Sequence, residues 1–345
     1  MPTIQERKAD HIRINLEKDV KASTNPWDAI RLQHNALPEV DRSKVDLTAT
    51  LLGRTLKAPI IISGMTGGAP EAQKINENLA IAAETLGLGM GVGSQRAALV
   101  QKDLVPTYSV IRNHQIPLRL ANLGIPQLVK WGPEETLRNA RACVEMIDAH
   151  ALAIHLNYLQ ESVQPEGDTN ARGSFKAIEA LAKVFRIPIM VKETGAGISE
   201  EVARALARTG IKAIDVGGWG GTSFSAVEVY RAAAANDQLH VRMGETFWDW
   251  GIPTPESVRQ VVGAVNDKIQ VVATGGIRNG LDAARALALG ADAVAVAGAV
   301  LPKAAKSAEA TIEELRFMIE ELRTAFFLTG AQNLDQFHQT ARVLG

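Results

Sequence analysis

The chain has 345 residues, 46% of them apolar, a formal net charge of −1 and a single cysteine. That length and composition fit a packed α/β enzyme with a large core and exclude a mostly disordered chain. The near-zero charge gives no global field for nucleic acid or an anionic membrane, so any anion site must be local. Cys143 stands alone in the helical stretch ETLRNARACVEMIDAH, which excludes an intrachain disulfide and a cysteine-rich metal centre and reads as a buried helical thiol.

Residues 1–57 read as a polar N-terminal extension with two proline-containing bends. The opening MPTIQERKAD is charged and lacks the apolar stretch of a signal peptide, and no run approaches a membrane span. A cytoplasmic enzyme with no nucleic-acid or membrane partner is expected. From residue 58 short apolar runs alternate with helical patterns: 58–63 (APIIIS), 87–92, 117–122, 151–157, 187–193, 211–216, 269–274 and 291–297. Most are continuously apolar, as parallel strands covered on both faces should be. Helices are expected over 70–86, 134–150, 175–185, 199–209 with Ser199 as N-cap, 279–289 ending at Gly290, and 311–328. Strand–helix units in this order favour an α/β fold of the (β/α)8 TIM-barrel type, residues 58–345, with the extension part of the same single domain. An open doubly wound sheet is the fallback, but no GxGxxG follows the first run. A long insertion, 225–257, follows the sixth run and holds TFWDWGIPT; such insertions are often lids or interface elements.

A barrel places its active face at the C-terminal ends of its strands. Those ends read Gly64-Met65-Thr66, Ser94-Gln95-Arg96, Asn122, His155 to Asn157 with Gln160 and Glu161, Lys192, then GGWGGTS at 217–223, Gly275-Gly276-Ile277-Arg278, and Gly298. Glycine weakens a strand and exposes backbone N–H groups, so three adjacent glycine-rich ends, with the Thr222 hydroxyl, point to a phosphate site. Lys192, at the end of a very apolar strand, suits a cation beside an anionic cofactor group or a Schiff-base nucleophile; a salt bridge to Glu193 is disfavoured because neighbours on a strand point opposite ways. His155 and Asn157 are expected on one strand face, and Glu161 reads as a base, a hard-metal ligand or a solvated carboxylate. In ERKADHI, Arg7 and His11 share a helix face, and with Lys8 they form either a solvated basic turn or a flexible arm that closes over an anion, which Arg96 meets from the barrel.

The ordered set ERKADHI, SGMTGG, GVGSQR, ANLG, HLNYLQE, VKETGAG, GGWGGTS, WDWGIPT and ATGGIR resembles type 2, FMN-dependent isopentenyl diphosphate isomerase over almost the whole chain. ERKADHI, HLNYLQE and WDWGIPT are the particular motifs; the others are shared loosely with other FMN barrels. The resemblance implies an FMN barrel that converts isopentenyl to dimethylallyl diphosphate by proton addition and removal, with no net redox change. It implies FMN contacts from Gly64, Met65, Thr66, Ser94, Asn122, Lys192, Thr222, Gly275, Gly276, Arg278, Ala297 and Gly298. It implies that Arg7, Lys8, His11, Ser94, Gln95 and Arg96 hold the diphosphate and that Gln160, with His155 and Asn157, lies beside the reacting alkene. Glu161 is then the Mg²⁺ ligand, NAD(P)H the reductant, and a homotetramer or homo-octamer the assembly. The other readings are an FMN oxidoreductase that transfers hydride, a non-catalytic phosphate-binding barrel, and a lysine Schiff-base aldolase. The His–Arg pair of hydroxy acid oxidases is not found near the seventh run.

Overall fold

Each apolar run is long enough for a strand, too short for a buried helix, and bounded by residues that break both. In the computed structural model, which describes residues 4–266 and 268–344, all eight runs carry strands. They are β1 (Ile60–Ile62), β2 (Gly89–Gly91), β3 (Leu118–Gly124), β4 (Ala151–Leu156), β5 (Ile189–Glu193), β6 (Ala213–Asp215), β7 (Gln270–Thr274) and β8 (Ala293–Val296). Each pairs in parallel with its sequence neighbours, and β8 pairs with β1 (Val294 opposite Ile60), so the sheet closes into a barrel and the open-sheet alternative falls.

Alternation decides what fills the ring. Ile189 and Val191 of β5 face the surrounding helices; Met190 joins Ala153, Leu120, Ala213, Val272 and Ala295 inside. Continuing the same period places Asn122, His155, Lys192 and Asp215 in the next interior layer, at the C-terminal ends of β3 to β6. The interior is filled from the other end by the hairpin Ala49–Leu51 and Arg54–Leu56, whose Leu51, Leu52 and Leu56 pack on Ile61 and Leu118. The Leu52 N–H donates to Gln270 Oε1 (2.7 Å) at the start of β7, which fixes this plug at the N-terminal face. Small residues (Gly91, Ala153, Ala295) line a pocket that reaches Asn122, Lys192 and Asp215.

The helices follow the sequence pattern closely: Pro70–Leu86 as expected, Glu200–Ala207 capped by Ser199, and Gly280–Ala288 capped by Asn279. The one expected over 134–150 runs from Pro133 to Ile147; Gly132, at φ 74°, breaks it from a preceding helical stretch that starts at Ile125. The N-terminal extension is no flexible arm. Its helix Ile4–Glu17 docks on the helix Phe224–Ala234, with Ile14 and Val20 against Ala226 and Val227, so burial of apolar area holds it. Lys21 then bridges to Thr222, and Trp27 is wholly buried. The insertion after β6 is built from the helices Phe224–Ala234 and Gln238–Thr246 and a tryptophan-bearing turn that leads into the helix Thr254–Ala264.

Leu56→Ala should leave a hole in the plug and cost about 2–5 kcal/mol. Urea unfolding of purified protein measures this; a change well under 1 kcal/mol would mean the hairpin is not part of the cooperative core.

Candidate active site

The interior layer at the mouth is polar and tightly cross-bonded. Asn122 Nδ2 donates to the Val92 carbonyl (3.0 Å), so its Oδ1 is the acceptor for His155 Nδ1 (2.8 Å). His155 therefore carries its proton on Nδ1 and leaves Nε2 as an acceptor. Burial, with Lys192 and Lys8 nearby, pushes its pKa down to about 3, so the ring is neutral. Lys192 lies opposite His155 on one side and Asp215 on the other. Its Nζ donates to the Glu193 carbonyl (3.2 Å) and not to the Glu193 carboxylate. That carboxylate turns the other way and accepts the N–H groups of Thr194, Gly195 and Ala196 at 2.5–2.6 Å; burial nevertheless pushes it up to about 7.

The glycine-rich ends of β6, β7 and β8 converge beside this layer. A side chain on Gly221 would lie 2.7 Å from the Gly276 nitrogen, and the Cβ position of Gly298 is 3.5 Å from Thr222 Oγ1. A Cβ on Gly275 would meet the Gly218 carbonyl at 2.2 Å, and φ there is 118°, so only glycine allows this approach. The Gly276 and Ile277 N–H groups have no protein acceptor among the described residues. Unpartnered amides, a hydroxyl and a cradle that side chains would fill fit a phosphate monoester. Arg278, expected here, is turned outward and held by Asp28 and Asp282. Around the β1 end, Gly64 packs so closely on the Val92 carbonyl that a Cβ would sit 2.2 Å away; Thr66 is buried and donates to Asn76 Oδ1 (2.7 Å). Met65 packs at the edge of the core.

Above the mouth, the N-terminal helix brings Lys8 next to Gly68 and towards Arg96. Burial first, then Arg7 and Arg96, push Lys8 down to about 8, and no carboxylate pairs with either Lys8 or Arg96 among the described residues. Two neighbouring cations without a counter-ion leave room for an anion. Ser94 lies beside Arg96, with its carbonyl held by Tyr108 Oη (2.7 Å). Gln95 differs from expectation: it is fully buried, donates to the Cys143 carbonyl (2.9 Å) and accepts from the Asn122 N–H (2.9 Å). His11 is likewise committed, to Glu228 Oε1 (3.1 Å), and Arg7 faces Glu166 (4.0 Å).

Glu228 is the group sequence reading missed. Its wholly buried carboxylate accepts from Gln160 Nε2 (3.0 Å), His11 and Arg231 (2.5 Å), and these partners, against the effect of burial, hold it down to about 2. An acceptor-only carboxylate fixes the flip of Gln160 and leaves the Gln160 carbonyl oxygen available. The available signal was an acid within the apolar SAVEVY followed three residues later by Arg231. Asn157 also departs from expectation. β4 stops at Leu156, and Asn157 opens the helix Tyr158–Val163, so it does not share a face with His155; its Nδ2 donates to Glu161 Oε1 (2.9 Å). Glu161 Oε2 accepts from Gln164 (2.6 Å) and the Asp168 N–H (2.7 Å), while Asn157 Oδ1 and Gln164 Oε1 are buried without partners. One carboxylate with amide oxygens suits a hard cation, but no group of three acidic, His or Cys side chains surrounds it among the described residues. Between Gln160, the loop at Gly195, Trp219 and Trp250 lies a cleft of about 340 Å³.

Residues 10–103 and 112–343 match the FMN-dependent dehydrogenase family. The isopentenyl-diphosphate delta-isomerase of Thermoplasma acidophilum is 45% identical over 342 residues, covering 99% of this chain and 97% of that protein. The protein of the same name from Archaeoglobus fulgidus is 46% identical over 331 residues, covering 96% and 93%. Among solved structures, mandelate oxidase with 3,3-difluoro-2-hydroxy-3-phenylpropionic acid superposes with a TM-score of 0.65 at 16% identity, covering 98% of both chains, a likeness of fold. Sequence and barrel together show that the chain belongs to the FMN-dependent dehydrogenase family, as one of its type 2 isopentenyl-diphosphate delta-isomerases.

Proposed function

We propose that this enzyme isomerises isopentenyl diphosphate to dimethylallyl diphosphate, adding a proton at one carbon and removing one at another, with FMN reduced by NAD(P)H and no net redox change. The observation that carries it is the presence of two separate anion sites: the neutral, glycine-lined seat at Thr222, Gly276 and Gly298, and the uncompensated cations Lys8 and Arg96 across the mouth. A hydroxy acid oxidase also holds a flavin phosphate and adds one substrate carboxylate; two neighbouring cations with no carboxylate partner among the described residues suit the greater charge of a diphosphate ester.

Ala297 and Gly298 would complete the phosphate seat, and Gly64, Met65, Thr66, Ser94, Asn122 and Lys192 would face the ring and its chain. The diphosphate would lie against Arg7, Lys8, Ser94 and Arg96, with Mg²⁺ on Glu161 supported by Asn157. Gln95 and His11 act from behind, through Asn122 and Glu228. An alkene is a poor base, so the reaction demands a strong, well-placed acid. His155, neutral with a pKa near 3, is not that acid; it holds Asn122. Reduced FMN, when bound, supplies a proton donor and acceptor and an electron-rich face for a developing cation. Gln160, oriented by Glu228, lies beside the alkene, and diphosphate binding energy positions the small apolar part. We read the enzyme as cytoplasmic and as a homotetramer or homo-octamer. No described helix is long and apolar enough to cross a membrane.

Reduced enzyme turning over isopentenyl diphosphate with Mg²⁺ in D₂O should place deuterium in the product without consuming reductant; product that stops at one equivalent per reduced flavin, or hydrogen peroxide formed in step with it, would sink this reading. Lys8→Ala should raise KM for isopentenyl diphosphate about 10- to 100-fold, the loss of one charged hydrogen bond, and leave flavin absorbance unchanged. Lys8 is charged below about 8 and loses its attraction for the diphosphate above it, so kcat/KM should fall as pH rises through that value. In Lys8→Arg this limb should move to higher pH, which a pH profile of the two enzymes measures.

A further inference from the structure

The segment after the N-terminal helix runs as a strap over the glycine-rich seat. The Ala22 N–H donates to the Gly221 carbonyl (2.8 Å), and the Ser223 N–H donates to the Val20 carbonyl (2.8 Å). Pro26 fills the space where Gly220 lacks a side chain, its Cδ lying 2.4 Å from the Cβ position. Two polar side chains of the strap then reach the β7 loop. Trp27 Nε1 donates to the Gly275 carbonyl (2.8 Å), and Asn25 Nδ2 donates to the Gly276 carbonyl (2.7 Å). Neither donor has freedom to turn away. Trp27 is wholly buried, and Asn25 Oδ1 is engaged by the Trp27 N–H (3.0 Å).

Those two contacts set the direction of two amides. No described peptide is cis, and in a trans peptide the C=O and the following N–H point in opposite senses. Pulling the Gly275 and Gly276 carbonyls onto the strap turns the Gly276 and Ile277 N–H groups away from it. These are the two amides without a protein acceptor. The Gly276 N–H opens beside Gly221, where any side chain would cover it. The glycines alone do not enforce this. Gly276 at φ 71° and Gly275 at φ 118° are conformationally permissive, so a bare loop would sample other orientations.

We propose that Asn25 and Trp27 are positioning residues of the phosphate seat: they hold the Gly275–Ile277 amides in the orientation that distinguishes a phosphorylated flavin from the unphosphorylated one. The inference rests on the flavin reading above and adds its selectivity. The nearby cation does not serve this purpose, since Arg278 is spent on Asp28 and Asp282. Selectivity then comes from neutral donors whose direction is imposed from outside the barrel.

The test is titration of apoprotein with FMN and with riboflavin, followed by flavin fluorescence, for wild type, Asn25→Ala and Trp27→Phe. Each variant should lose about tenfold in FMN affinity, the worth of a hydrogen bond, while riboflavin affinity stays within twofold. Trp27→Phe keeps the buried ring and removes only the N–H, so it separates positioning from packing. Equal losses for both flavins in both variants would show that the strap merely stabilises the fold and would overturn the proposal. So would an undiminished preference for FMN. Wild-type protein that binds neither flavin would instead overturn the flavin reading from which this one starts.

Discussion

The closed ring of parallel strands, with its period of two, is the constraint on which the site depends. Once Met190 and Ala153 face inward, Lys192 and His155 must do so one layer higher; the pairing of β4 to β6 brings His155, Lys192 and Asp215 to one level, and Asn122, opposite Ala153 on β3, reaches up to His155 Nδ1. A slip of one residue in any strand would send its polar group out among the helices. The leucine plug fills the opposite end, and a pocket lined by Leu120, Ala153, Met190 and Ala295 reaches that polar layer.

Charge is distributed around the mouth by pairing. Glu228 is engaged by His11, Gln160 and Arg231, and Glu166 by Arg231; beside the glycine-rich loops, Asp28 and Asp282 are engaged by Arg278. Lys8 and Arg96 are left with each other. Burial, with Arg7 and Arg96 nearby, depresses the pKa of the Lys8 ammonium. At the other site the logic is reversed, with backbone dipoles in place of ionic charge, which tolerates burial without the desolvation cost of a cation.

The N-terminal extension joins the two sites. One continuous segment supplies Lys8 from a docked helix and, after a short paired stretch, Asn25 and Trp27 against the glycine loops. The turn with Trp248 and Trp250 is tied to the same segment: Trp248 Nε1 donates to the Lys21 carbonyl (2.9 Å), and Asp249 Oδ1 accepts from the Ser23 N–H (3.0 Å). The insertion after β6 thus acts as a support for the strap as well as a wall of the cleft.

The sequence by itself determined the barrel, the positions of its strands and the ends that carry Gly64, Asn122, Lys192, Thr222 and Gly276, because hydrophobic periodicity and glycine requirements are local properties of a segment. It also placed the helix cap at Ser199, for the same reason. It did not reveal that residues 4–17 form a docked helix, since their apolar face has meaning only against Ala226 and Val227. Nor could it show Glu228 as the partner of Gln160, Gln95 as a buried bracket, Asn157 turned to Glu161, or Arg278 drawn outward to Asp28. Those are long-range pairings, decided by which surfaces meet when the chain closes, and a side chain's role in them follows from its partner rather than from its neighbours in sequence.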